Sequence, residues 1–459
     1  MSPLADGTYR RLFGAQIIAL AGTGLTTIAL ALLAYELAGG EAGKVLGTAL
    51  AIKMVAYIGV APVIGGLAHH LPRRALLVAL DIARACIVGF LPFVTEVWQI
   101  YLLIFLLNAC SAGFTPTFQA TIPDILRDDA QYTKALSYSR LAYDLENLLS
   151  PTLAAAALFF FTFDALFAAN AAAFVVSASL ILSVRLPRAT PPDRGRGVWQ
   201  NVSFGTAAYL KTPRLRGLLA LSLAVASAGA MIIVNTVVYV RDILGGSESD
   251  TALVLAGAGA GSMIAAMLIP RLIERVPDRA VMIGGGFLLA TGLASGLALG
   301  MTAPGMIGLT LIWFLLGCGS SLIQTPAGRL LRRSAHDGDR PAIFAAQFAL
   351  SHGCWLIGYL SAGFLGGAFG LGAAFTVLSA LALLSTATAL WLWPAEDPME
   401  LAHTHEAVAH EHRHFHDAHH QHAHEGWEGP EPHSHPHRHE ATRHKHAFVI
   451  DTHHRHWPA

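Results

Sequence analysis

GGLAHHLPRRAL, Gly65 to Leu76, is a short basic connection between two apolar runs, and PRLIERVPDRAV, Pro270 to Val281, repeats its frame 205 residues later. Leu67 falls on Leu272, Pro72 on Pro277 and Arg74 on Arg279. A second pair, TPTFQATIPDILRDD from Thr115 and TPAGRLLRRSAHDGD from Thr325, repeats at an offset of 210. Two matches at nearly one offset point to a chain built from two copies of one unit.

The runs on either side of the first connection, near residues 46–67 and 75–95, are long enough to cross about 30 Å of hydrocarbon at 1.5 Å per residue. Others lie near 98–118, 136–160, 164–185, 217–240, 251–270, 280–300, 304–325, 341–365 and 370–394. The first, LFGAQIIALAGTGLTTIALALLAYEL from Leu12 to Leu37, is too long for the apolar core of a cleaved signal and lacks a small-residue cleavage pattern. Twelve spans are expected. Composition agrees, with 13 % charged and 54 % hydrophobic residues among 459, against about 25 % charged in soluble chains.

Ser183 to Gly217, SVRLPRATPPDRGRGVWQNVSFGTAAYLKTPRLRG, is polar, basic and rich in Pro and Gly, and it separates six runs from six. The spacing therefore predicts an all-α membrane protein in four parts: a six-helix half over 1–186, a linker over 187–216, a second six-helix half over 217–395 and a tail over 396–459. With the N-terminus cytoplasmic, 21 basic residues fall in the connections on that side, while the opposite loops hold essentially Lys44 and Arg241. The positive-inside bias sets this orientation, and an even number of spans returns the tail to the cytoplasm.

The Gly65 to Arg74 connection resembles the major facilitator superfamily signature G-x-x-x-D-R-x-G-R-R, with Gly65, Arg73 and Arg74 in place. His69 stands where that family has Asp, His70 where it has Arg, and Pro72 where it has Gly. The resemblance implies twelve transmembrane helices in two pseudo-symmetric halves, and a gate near this motif that lacks its usual acid. The second copy keeps an acid and a base as Glu274 and Arg275. FTPTFQATIPDIL, Phe114 to Leu126, and LSYSRLAYDLENLLSP, Leu136 to Pro151, resemble the exporters of that superfamily. With a histidine-rich tail, the whole is similar to the nickel-resistance exporters of the NreB type. That likeness implies a bacterial inner-membrane location and a monomer.

Ionisable side chains within spans cost roughly 2.5–3.5 kcal/mol each on insertion scales, so each needs a reason. The shortlist is Lys53, Asp81, Arg84, Asp144, Glu146 and His352. Asp81 and Arg84 are three apart on one helical face and read as a structural pair. Asp144 has two open readings. As the i,i+4 neighbour of Arg140 it is a counter-ion; with Asn147 on the same face it is a carboxylate that exchanges a proton for a cation, as carboxylates in low dielectric can. The repeat places Asp144 opposite Cys354, two residues after His352, so carboxylate, imidazole and thiol are candidate groups for a metal path. His352 reads equally as an interhelical hydrogen-bond donor, and Lys53 as a snorkelling or paired cation. Asn108, Gln119, Asn170, Asn235 and Gln347 read as interhelical glue.

The last 57 residues, His403 to Ala459, hold 19 of the 23 histidines. Candidate metal ligands are His410, His412, His414, His416, His419, His420, His422, His424, His433, His435, His437 and His439, spaced for two-point chelation. From Glu396 on, 11 acids outnumber 5 bases, and with repeated Pro and Gly and little to bury the tail is expected to be disordered without metal. A cytoplasmic pH sensor is the competing reading. The cysteines, Cys86, Cys110, Cys318 and Cys354, form no C-x-x-C, and there is no Walker A motif. A non-enzymatic secondary transporter is therefore expected, with no required cofactor and no nucleic-acid partner. Lipid, protons and Ni(II), Co(II) or Zn(II) are its expected partners, proton antiport its mechanism and Ni(II) its first cargo. Export of a small organic compound with a metal-sensing tail is the alternative, and a membrane-anchored metal store ranks last.

Overall fold

The computed structural model describes residues 2–38, 42–67, 71–187, 198–302, 305–397, 400–405, 408–414, 433–439, 442–450, 454 and 457. The helices are α1 (Gly7–Ala38), α2 (Ala42–Leu67), α3 (Arg73–Phe90), α4 (Val97–Ile125), α5 (Asp129–Leu158), α6 (Phe163–Leu182), α7 (Val198–Lys211), α8 (Pro213–Val238), α9 (Glu248–Leu272), α10 (Asp278–Thr302), α11 (Met306–Arg333) and α12 (Arg340–Leu392). Their starts follow local chemistry. Asp128 accepts from the Gln131 amide to open α5, Ser247 and Asp250 cap α9 reciprocally, and Pro213 and Pro341 occupy first turns.

Among the described residues, 10 helices are long and apolar enough to cross a membrane. Two features reconcile this with the expected twelve. Gly370, at φ +83°, breaks α12 into two limbs, a backbone region where a Cβ is strained. The other is α5, too charged for an apolar window yet packed against α1, α9 and α11 as a member of the bundle.

One half packs α1 on α5 and α6, α2 on α4, and α3 on α4 and α6. The other packs α8 on α12, α9 on α11, and α10 on α11 and α12. Pro116 in α4 and Pro326 in α11, equivalent positions of the second sequence repeat, both lie inside helices. The halves meet where α2 and α4 touch α12 and where α5 touches α9 and α11. At the end of the bundle that carries α7, here the linker end, a Cβ on Gly65 would strike the Ala345 side chain. Only glycine lets α2 and α12 approach so closely.

Two features go beyond the sequence reading. Within the linker expected over 187–216, Val198–Lys211 forms α7 and lies against both α2 and α12. Its Ala208 and Tyr209 are buried, which gives the segment an apolar face. The tail, expected to be disordered without metal, has four described strands. The backbone pairs β1 (Glu400–His405) with β4 (Thr442–Ala447) and β2 (Val408–His414) with β3 (His433–His439), both antiparallel. The alternation of histidine with other residues has the period of a strand. Beyond β4, Phe448, Val449, Ile450 and His454 are buried.

Candidate transport site

Glu146 from α5 and His352 from α12 belong to different halves, yet both interact electrostatically with Lys53 of α2. All three are half-buried at mid-helix positions. The Lys53 ammonium lies 5.6 Å from the Tyr57 ring centroid, and Tyr57 meets His352 edge-on at 4.6 Å and Phe348 at 4.9 Å. His352 Nδ1 is 2.7 Å from the Phe348 carbonyl oxygen. A carbonyl only accepts, so Nδ1 carries a proton, and in the neutral ring Nε2 keeps its lone pair. A Cβ on Gly24 would reach within 3.1 Å of Glu146 Oε1, which places the carboxylate against α1. Tyr143, one helical turn before Asn147, hydrogen-bonds Gln16 and feels both Tyr57 and Glu146. The Asn147 side chain lies outside the described residues.

Asp144 has different neighbours. Its carboxylate accepts from Arg140 Nε at 3.2 Å and lies 2.8 Å from Arg140 Nη2. Arg140 also donates to Ser262 Oγ at 2.9 Å and Gln324 Oε1 at 3.0 Å, in the other half. Asp144 is thus the counter-ion within a bridge between halves. Cys354 is buried with its sulfur 3.9 Å from the Leu219 carbonyl of α8. The geometry thus brings Lys53, Tyr57 and His352 together, leaves Glu146 within electrostatic reach of Lys53, and turns Asp144 and Cys354 to other partners.

Asp81 and Arg84 form a buried ion pair. Ser177 Oγ donates to Asp81 at 2.8 Å, and the guanidinium lies 4.0 Å and 4.4 Å from the ring centroids of Phe114 and Phe174. Of the amide side chains, Asn170 donates to Thr26 at 2.6 Å and Asn235 to the Ala362 carbonyl at 3.3 Å, both between helices. Gln347 accepts from Tyr209 of α7, whereas Asn108 serves its own helix through Ile104.

His69 and His70 of the gate motif lie outside the described residues. Arg73 is buried and pairs with Asp124 at the end of α4, and Asp124 also pairs with Arg340 at the start of α12. One carboxylate thus neutralises the motif's arginine and ties the halves together. Arg74 donates to the Val184 carbonyl at 3.4 Å. Nearby, Arg332 reaches Asp129 at 2.6 Å and Arg329 donates to Thr133 at 2.6 Å. Asp124 lies in the quoted PDIL stretch, but a single aspartate near a helix end gave no sign of this double pairing.

A family profile described as Major Facilitator Superfamily matches residues 12–234 and 219–427. The chain belongs to the major facilitator superfamily. This is a superfamily of transporters, so the protein is a transporter and not an enzyme. An uncharacterized MFS-type transporter of Bacillus subtilis (strain 168), YfiS, is 25 % identical over 333 residues, 70 % of this chain and 78 % of that one. Macrolide efflux protein A of Enterococcus faecalis is 25 % identical over 153 residues, 31 % of this chain and 47 % of its own length. The human organic anion transporter MFSD10 has the same fold with a TM-score of 0.70 at 14 % identity, covering 83 % of this chain and 99 % of that one. A bacterial homologue of the iron transporter ferroportin, in its outward-facing state, gives 0.69 at 15 % identity over 84 % and 99 %.

The tail histidines follow α12 in the chain. The β2–β3 register sets His410 opposite His437, His412 opposite His435 and His414 opposite His433. His439 faces Val408, and His416, His419, His420, His422 and His424 lie outside the described residues. The end of the tail docks on the second half. Arg214 in the first turn of α8 donates to the Phe448 carbonyl at 3.2 Å, to Asp397 at 2.9 Å and to Ser334 at 2.8 Å, and its guanidinium lies 4.9 Å from the Trp457 ring centroid. Sequence reading missed this dock; its trace is an apolar FVI at residues 448–450 inside a polar segment.

Proposed function

We propose that this protein exports a divalent transition metal, Ni(II) first and Co(II) or Zn(II) after it, in exchange for protons, across a bacterial inner membrane. The observation that carries the reading is the meeting of His352 of one half with Tyr57 of the other, beside Lys53, with the Glu146 carboxylate close enough for its charge to act on that lysine. Imidazole and carboxylate are ligand types suited to divalent metals, and Glu146 also holds a proton in its uncharged form. The positive-inside excess assigns the linker end, both termini and the histidine tail to the cytoplasm. The halves are joined there through Asp124 with Arg340 and Asp129 with Arg332. Asp124 supplies the acid that the gate motif lacks.

The tail collects metal near the cytoplasmic mouth and lies outside the path. Cells carrying the protein are expected to hold less nickel under nickel stress than cells without it, with the difference abolished by Glu146→Gln at equal membrane abundance. Equal cell nickel with and without the protein overturns the proposal.

A second reading, export of a small organic compound, draws on the aromatic surfaces beside the site, Tyr57 with Phe348 and Trp355 with Tyr359 at 5.3 Å. Macrolide efflux proteins among the relatives favour it. Removing residues 403–459 separates the two: an organic exporter keeps its full drug efflux and loses only metal responsiveness, whereas a metal exporter loses nickel tolerance at low external nickel.

A further inference from the structure

We propose that the cargo crosses as a metal complex that keeps small carboxylate ligands, and that Lys53 selects this form by receiving one of those carboxylates. The inference rests on the metal-export reading above and names its substrate class.

Three observations converge. First, among the described residues no three of His, Cys, Asp and Glu come together to hold a metal ion. Glu146 and His352 offer two donors, while Ni(II) and its neighbours in the series take four or more. The remaining coordination positions are open to water or to ligands that travel with the ion.

Second, the site contains a fixed cation. Lys53 stands near enough to Glu146 for their charges to interact, but among the described residues neither makes an ion pair within 4.0 Å. The ammonium also lies over Tyr57, whose ring meets His352 edge-on at 4.6 Å. A bare or hydrated dication meets repulsion from such a group in a low-dielectric passage. A complex whose carboxylates make it neutral or anionic meets a charge-assisted donor instead.

Third, His352 is oriented as a ligand with one open position to fill. Its Nδ1 proton is directed at the Phe348 carbonyl 2.7 Å away, the arrangement that holds metal-binding imidazoles in one tautomer, and Nε2 is left free. The site therefore presents a nitrogen donor and a carboxylate to the metal and an ammonium to whatever else the metal carries. Lys53, which reads in sequence as a snorkelling or paired cation, becomes a specificity residue.

Full-length protein in proteoliposomes tests this with doubly labelled cargo. Radioactive nickel is offered as the chloride in a non-coordinating buffer, as its citrate complex and as its histidine complex, with the organic ligand carrying a second label; each ligand is also offered alone. The expected result is faster nickel flux from at least one complex than from the chloride, with ligand label crossing alongside the metal. Lys53→Gln is expected to lower that flux about tenfold, the loss of one charged hydrogen bond, while chloride flux rises, because the charge that repels the free dication is gone. Lys53→Arg, which keeps the charge, is expected to restore most of it.

Nickel crossing from the chloride at least as fast as from both complexes, with no ligand label following, overturns the proposal and leaves metal export standing. So does a Lys53→Gln variant that carries the complexes at the original rate. No nickel flux in any form, in protein that retains its folded elution profile, overturns the metal-export reading itself.

Discussion

Buried charges in this bundle divide by whether they have partners, and that division predicts how each responds to mutation. Asp81 is fully enclosed, with Arg84, Ser177 and two aromatic rings around the pair. Asp81→Ala leaves a buried guanidinium without its counter-ion, which costs about 3–5 kcal/mol. The variant is expected to melt well below the parent in detergent, whereas Asp81→Leu combined with Arg84→Met recovers much of the loss, because replacing both charges removes the orphan. Glu146 behaves oppositely. Without an ion pair within 4.0 Å among the described residues, Glu146→Gln is expected to leave the melting temperature unchanged within error while abolishing proton-coupled nickel flux in proteoliposomes. A large melting shift in Glu146→Gln places that carboxylate among the structural charges. Sequence spacing read the first case well, since Asp81 and Arg84 share one helix. It left Asp144 between two readings, because what decides it, the bonds of its partner Arg140 to Ser262 and Gln324, comes from other helices, as does the Lys53 whose charge acts on Glu146. No i,i+4 rule reaches across a bundle.

At the scale of elements, the spans were legible and their accessories were not. Apolar runs of about 20 residues have few alternatives to a spanning helix. Hydropathy is silent on α7 and on the docked end of the tail, whose amphipathic or short apolar segments lie in polar surroundings. Both are held by specific contacts. Val202 of α7 lies against Gly66, where a Cβ would come within 2.7 Å of its backbone, and the Ala342 carbonyl blocks a Cβ on Gly205. Phe448 packs its ring 4.5 Å from His454 and 5.0 Å from Trp457, under Arg214. Truncating a buried Phe costs about 3–5 kcal/mol, more than a docked end of this size is expected to retain. Phe448→Ala should therefore undock residues 448–457 without melting the bundle. Hydrogen exchange would show protection lost at 448–450 and kept in α8, and an early protease cut within the tail should accompany it. Unchanged protection at 448–450 would show that Arg214 and the neighbouring residues hold the segment without the ring.

For the whole molecule, duplication supplies two similar halves, and a few charges at the linker end decide how firmly they are joined. Two cross-half ion pairs there differ in kind. Arg332 reaches Asp129, whose side chain is 66 % exposed, and pairs in such water-rich settings contribute about 0–1 kcal/mol. Asp124 is only 12 % exposed and is shared by Arg73 and Arg340, so its removal leaves Arg73 without this counter-ion and Arg340 with Asp337, and cuts the tie between the halves. Asp124→Asn is therefore expected to shift the population toward a form open at the linker end, and Asp129→Asn to leave it nearly unchanged. The measurement is thiol labelling of Ala345→Cys in a background without the four native cysteines, because Ala345 is buried against Gly65 only while the halves are closed there. Labelling should accelerate about tenfold with Asp124→Asn, the equivalent of one charged hydrogen bond, and by less than about twofold with Asp129→Asn. Equal acceleration by both would mean that closure depends on net charge at the linker end and not on the shared carboxylate.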